Sequence, residues 1–163
     1  MRNKINLIGV ILFMAAVVSC QHSDRQSQQK KATGSLRIVS LTPSITKQLL
    51  LLGVEDHLIG HTSYCPADSL ENSEMVASAT EVNIEKIATL KPDVVLVSTL
   101  TKQQVIDNLR KLGIEVEYLD MPKSFKEICN QMITIGAIVN RKDKALAIVE
   151  KQRAKVDSLQ NRI

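Results

Sequence analysis

The chain has 163 residues, of which 44% are hydrophobic and 23% charged; this is globular material for roughly one domain, and it excludes a disordered or fibrous protein. The formal net charge is +4, too evenly balanced for nucleic-acid binding, which needs a concentrated basic face. Three cysteines, three histidines and six scattered glycines supply neither a clustered metal motif nor a glycine-rich phosphate loop.

Residues 1–19 begin with Arg2 and Lys4, run apolar from Leu7 to Val18 and end on small residues, which predicts a secretory signal. The apolar run is shorter than the roughly 20 residues that span a bilayer. Val17-Val18-Ser19-Cys20 resembles the lipobox of bacterial lipoproteins, which implies that Cys20 carries the lipid. An ordinary signal peptide followed by a chance cysteine is the other reading. Removing Arg2 and Lys4 from the 21 basic residues leaves 19 against 17 acidic ones, net +2. Residues 20–35 hold almost no apolar side chain beyond Ala32, so a disordered tether is expected there. Such a tether reaches about 20 Å.

From residue 36 onward strands alternate with helices. Leu36 to Leu41 reads as a strand, followed by a helix with Thr42 at its cap, Pro43 at its first position and Ile45, Leu49 and Leu52 inward. Gly53 ends it in the left-handed region. Leu58 to Thr62 reads as a second, short strand, and a long loop is expected from Ser63 to about Val82. Asn83 caps a helix that buries Ile84, Ile87 and Ala88. Asp93 to Ser98 is a continuous apolar run, the mark of a strand covered on both faces in a parallel sheet. Thr101 with Gln104, and Ser124 with Glu127, have capping-box spacing. The first box would open a helix that buries Val105, Leu109 and Leu112, the second one that buries Ile128, Met132 and Ile135. Ile114 to Leu119 alternates like a strand, and about 141–163 forms one long final helix. The fold expected is α/β: a three-layer α/β/α sandwich with a four-stranded parallel sheet.

Ligands of open parallel sheets meet the loops at the carboxyl ends of the strands. Here those loops are Thr42-Pro43-Ser44, Thr62-Ser63-Tyr64, Ser98-Thr99-Leu100-Thr101 and Asp120-Met121-Pro122, rich in hydroxyls and poor in charge. Ser44, Thr62, Ser63 and Tyr64 are the candidate ligand contacts.

Arg37-Ile38-Val39-Ser40-Leu41-Thr42-Pro43-Ser44, Leu52-Gly53, Asn83-Ile84-Glu85-Lys86-Ile87, Leu90-Lys91-Pro92-Asp93-Val94-Val95 and Leu112-Gly113-Ile114 follow one another at characteristic gaps. In this order they resemble the cobalamin and iron-siderophore class of periplasmic binding proteins, the solute-binding components of ABC importers. The resemblance covers most of residues 36–163 and implies the amino-terminal lobe, with the final helix as connector and the second lobe absent. It also implies a cobalamin, haem or iron-siderophore ligand, an ABC permease and ATPase as partners, export, and a lipid anchor in a bacterial membrane. Tyr64 matches an aromatic set against the ligand, and Glu85 matches an acidic residue that docks onto permease arginines. Both also suit plainer roles, a loop tyrosine and a first-turn glutamate favoured by the helix dipole. Ala79 stands where a second aromatic is common, and Lys47 where many members have Glu. A single lobe leaves one wall of a ligand in water, so weak binding or none is expected. A lipid-anchored interaction domain that binds no solute is the alternative.

Once Cys20 is assigned to lipid, Cys65 and Cys129 remain. The exported compartment permits a bridge between them, and two separate thiols are the other possibility. His61 and Cys65 lie four apart but lack a third orienting group, so no enzyme is expected. His22, His57 and His61 do not form a metal cluster, and neither a metal nor another cofactor is expected.

Overall fold

The computed structural model describes residues 35–65, 70–78 and 81–160. The signal and its lipobox cysteine, Cys20, together with the tether and Ala79, lie outside these described residues.

A single parallel sheet organises the domain. Its strands are β1 (Ile38–Ser40), β2 (Leu58–Thr62), β3 (Glu74–Ala77), β4 (Val94–Ser98) and β5 (Val116–Leu119), in the order β3-β2-β1-β4-β5. β1 and β4 are buried along their whole length. In each, successive side chains enter opposite layers, the period-two geometry of a strand covered on both sides. Ile38, Val94 and Leu96 pack with α1 (Pro43–Leu51), α4 (Phe125–Ile138) and α5 (Lys142–Gln160). Val39, Val95 and Val97 pack with α2 (Ile84–Leu90) and α3 (Gln103–Lys111).

The sheet has five strands where four were expected. β3 lies within the segment read as a loop, because only Val76 and Ala77 of its four residues are buried and Glu74 and Met75 face solvent. It is an edge strand, held by β2 on one side.

The local signals set most boundaries. Pro43 opens α1, and Gly53, at φ +66°, follows its end where a Cβ would be strained. The Asn83 side chain accepts from the Lys86 amide at 2.8 Å. Ser124 Oγ accepts from the Glu127 amide at 3.2 Å, while the Glu127 carboxylate accepts from Lys123 N at 2.7 Å. The box read at Thr101 and Gln104 is not formed: Lys102 is the N-cap residue, and Gln103 donates forward to Asp107 instead.

Two inward faces differ from those expected. α3 turns Ile106 and Leu109 inward and leaves Leu112 exposed. α4 buries Cys129, Met132 and Ile135 and leaves Ile128 outside. α4 and α5 meet closely at Gly136, where a Cβ would stand 2.6 Å from that of Ala145. α5 buries Ala145 and Val149 against this hairpin, and its outer half is exposed apart from the half-buried Val156, with Leu159 an apolar side chain in solvent.

Candidate functional site at the strand ends

The strand order turns back between β1 and β4, so the loops after these two strands diverge onto opposite faces. A crevice opens at such a point in parallel sheets. Beneath the strand ends at this point runs a buried chain of small polar side chains. Ser40 and Ser98 end the apolar runs of β1 and β4, and Thr42 and Thr46 belong to the start of α1; all four are buried. Thr42 Oγ1 donates to Ser98 Oγ at 2.9 Å. Ser40 Oγ donates to the Thr42 carbonyl at 3.2 Å. Thr46 Oγ1 lies 2.9 Å from Ser40 Oγ and 3.3 Å from the Thr42 carbonyl. Cys65 Sγ donates to Thr46 Oγ1 at 3.2 Å and lies 3.4 Å from Thr62 Oγ1.

Two strand-end turns stand on this chain of side chains. After β2, Cys65 N donates to the Thr62 carbonyl at 3.0 Å; after β4, Thr101 N donates to the Ser98 carbonyl at 2.9 Å. Each turn begins on a buried hydroxyl residue and projects an apolar side chain from its third position. Tyr64 is 65% exposed and Leu100 70%, so both stand outside the core at the strand ends. Met121, after β5, adds a third exposed apolar side chain.

The four candidate contacts separate accordingly. Ser44, Ser63 and Tyr64 are exposed at the strand ends. Thr62 is buried against Cys65, so its hydroxyl faces the interior rather than the crevice. Leu100, Ser40, Thr46 and Ser98 were not singled out from the sequence. Serines that close two otherwise apolar strands were the available signal.

Cys65 and Cys129 are separate buried thiols, so the bridge considered between them is not formed. The Cys65 thiol is held by two threonine hydroxyls and points into the α1 layer. His61 does not meet it: His61 Nδ1 pairs with Ser73 Oγ at 2.9 Å. Burial, followed by the nearby Lys86 charge, lowers the pKa of His61. Lys86 itself bridges to Glu74 at 2.9 Å and donates to the Met75 carbonyl. Among the described residues no three His, Cys, Asp or Glu side chains form a metal cluster, and no helix is long and apolar enough to cross a membrane.

Glu85 is the second residue of α2 and is exposed, with Ile87 fully buried beneath it. It borders an open depression of about 490 Å³ that Met75, Glu81 and Val82 also line.

Residues 38–163 match the family model described as periplasmic binding protein. The vitamin B12-binding protein of Yersinia pestis (strain Pestoides F) is 30% identical over 133 residues, covering 80% of this chain and 47% of its own length. The chain thus spans about half the length of the curated relatives it matches. A possible iron-binding (periplasmic solute-binding) protein from Staphylococcus epidermidis superposes with a TM-score of 0.71 at 27% identity, over 78% of this chain and 51% of its own. The periplasmic vitamin B12 binding protein of Vibrio cholerae superposes with a TM-score of 0.67 at 25% identity, over 77% and 50%.

Proposed function

Since this chain belongs to the periplasmic binding protein family, we propose that it is the amino-terminal lobe of an ABC importer's solute-binding component, for cobalamin, haem or an iron-siderophore. The observation that carries this reading is the turn-back of the sheet, where a buried, uncharged hydroxyl network underlies the strand ends and Tyr64 and Leu100 stand exposed above it. Strand ends without ionised side chains and with exposed Tyr64 and Leu100 suit a broad, largely apolar ligand face, which gains affinity from area removed from water. The names of the relatives, two vitamin B12-binding proteins and a possible iron-binding one, support the same ligand range.

The chain is exported in this reading and tethered through a lipid on Cys20. Glu85, exposed at a helix start, faces the arginines of the permease. Absorbance titration of the exported chain with cyanocobalamin, haemin and a ferric siderophore tests the ligand. One wall of the ligand stays in water, so weak saturable binding of one of them, weakened about tenfold further by Tyr64→Ala, is the expected result. Failure of all three to saturate would remove the ligand reading in favour of a lipid-anchored interaction domain that binds no solute.

A further inference from the structure

The buried polar side chains at the strand ends are costly to explain by stability alone. Replacing both partners of a buried hydrogen bond with apolar groups of similar shape is often nearly neutral. Most of both layers is aliphatic, Gln48 and Gln131 being the main exception, and Val or Ala would fill the volumes of these hydroxyl residues. What a satisfied polar network adds is a single relative arrangement of the groups it joins.

The groups joined here are the two turns. Thr62 and Cys65 are the first and last residues of the turn that carries Tyr64. Ser98 is the first residue of the turn that carries Leu100, and its Oγ also accepts from the Leu100 amide at 3.4 Å. Between them Cys65, Thr46, Ser40 and Thr42 form a continuous hydrogen-bonded path through the start of α1. The Tyr64 turn has one further backbone tie at its second residue, Ser63 N to the Ala77 carbonyl at 2.8 Å on the edge strand β3.

We propose that this hydroxyl and thiol path is a positioning device: Thr46 and Cys65, with Ser40 and Thr42, hold the Tyr64 and Leu100 turns in one fixed relation, so the two side chains meet a ligand as a preformed pair. The proposal rests on the ligand-binding reading above and adds Leu100 as a second contact. Preorganisation of this kind raises affinity by removing the cost of ordering the loops at the moment of binding.

Thr46→Val cuts the path at its middle while keeping the branched shape. Amide hydrogen exchange by NMR on the full mature chain is the first readout. The Cys65, Ser63 and Thr101 amides should exchange about tenfold faster, and the Val95 amide, bonded to the Glu115 carbonyl inside the sheet, should not change. Thr46→Ser, which keeps the hydroxyl, should restore the parental rates. Cys65→Ala should loosen the Tyr64 turn and serves as the second cut. Unchanged exchange at the three turn amides in both cut variants would overturn the proposal, whatever the ligand result.

The second readout is affinity for haemin and for cyanocobalamin. Thr46→Val should weaken the binding probe about fivefold in the parental background and not at all once Tyr64 and Leu100 are both alanine. An equal loss in the two backgrounds would overturn positioning. If neither probe binds the parent, the ligand reading falls, and the exchange measurement alone decides whether the path orders the turns.

Discussion

Gln48 on α1 donates its amide to Gln131 on α4 across 2.6 Å, and Gln131 passes its own amide to the Asp120 carbonyl at 2.7 Å. Both glutamines are 8% exposed, so this relay ties the layer of α1 and α4 to the loop after β5. Gln131→Leu leaves the Gln48 amide buried without its partner. The expected cost is about 1–3 kcal/mol, read by urea unfolding. Adding Gln48→Leu should recover part of that loss, since two apolar partners need no hydrogen bond. A double variant less stable than the single one would contradict this account.

Glu85→Arg should leave unfolding free energy within about ±0.5 kcal/mol, because the side chain is exposed and makes no side-chain hydrogen bond that a charge reversal would break. The loss of a favourable charge near a helix start falls within that margin. Docking to the cognate permease in reconstituted vesicles should slow or stop, most visibly at low salt. Parental docking by the reversed protein would sink the role proposed for Glu85, and unfolding would make the residue structural.

Alkylation without reductant should find two thiols, Cys65 and Cys129, after unfolding. In the folded protein both should react slowly, since each is buried and Cys65 is hydrogen-bonded to threonine. A single disulfide-linked peptide pair in the non-reduced digest would overturn the arrangement found here.

His61 gives stability a pH dependence of defined sign. Burial and Lys86 lower its pKa from the ordinary value of 6.5. The unfolded chain therefore takes up the proton first as the pH falls. The stabilisation is complete above 6.5 and is lost as the pH drops towards the lower folded value. His61→Gln keeps a partner for Ser73 without titrating. Its stability should fall less steeply than the parent's between about pH 7 and about pH 5. Parallel profiles would show that His61 does not contribute.

The centre of the sheet was legible because Leu36–Leu41 is rich in branched residues and Asp93–Ser98 is a continuous apolar run, a pattern that suits a parallel strand covered on both faces. The caps at Asn83 and Ser124 were equally plain. β3 was hidden because two of its four residues face water and β2 is the one strand it pairs with among the described residues, beside an isolated bridge from Ala77 to Val82. Leu112 and Ile128 were assigned inward because three- and four-residue spacing fits two adjacent helix faces, and only packing against the sheet chooses between them. At the site, the abundance of hydroxyls was visible but their direction was not. The pairing of β2 shifts register against both neighbours, between Ile38 and Val39 on one side and at His61 and Thr62 on the other. Burial along β2 still alternates, with Leu58, Gly60 and Thr62 buried, so the period of two did turn Thr62 inward, and its place at the mouth of a loop led it to be read as a contact instead. Leu100 was named within a strand-end loop but not as a contact, because an exposed leucine in a loop carries no signal until the turn that projects it is seen.

The central place of β1 also governs the order in which the sheet can be completed during synthesis. Ile38 pairs with Leu58 on one side and with Val94 on the other. As the chain grows from its amino end, the first strand made finds β2 soon, but its second edge stays open until β4 follows, 56 positions later in the Thr42–Ser98 link. An apolar strand with an unpaired edge is a template for association with other chains, and late, distant pairing slows folding. The newly made chain is therefore most vulnerable to misassembly in the interval between β2 and β4, and a holding factor that covers Ile38–Ser40 during that interval would raise the yield of folded protein.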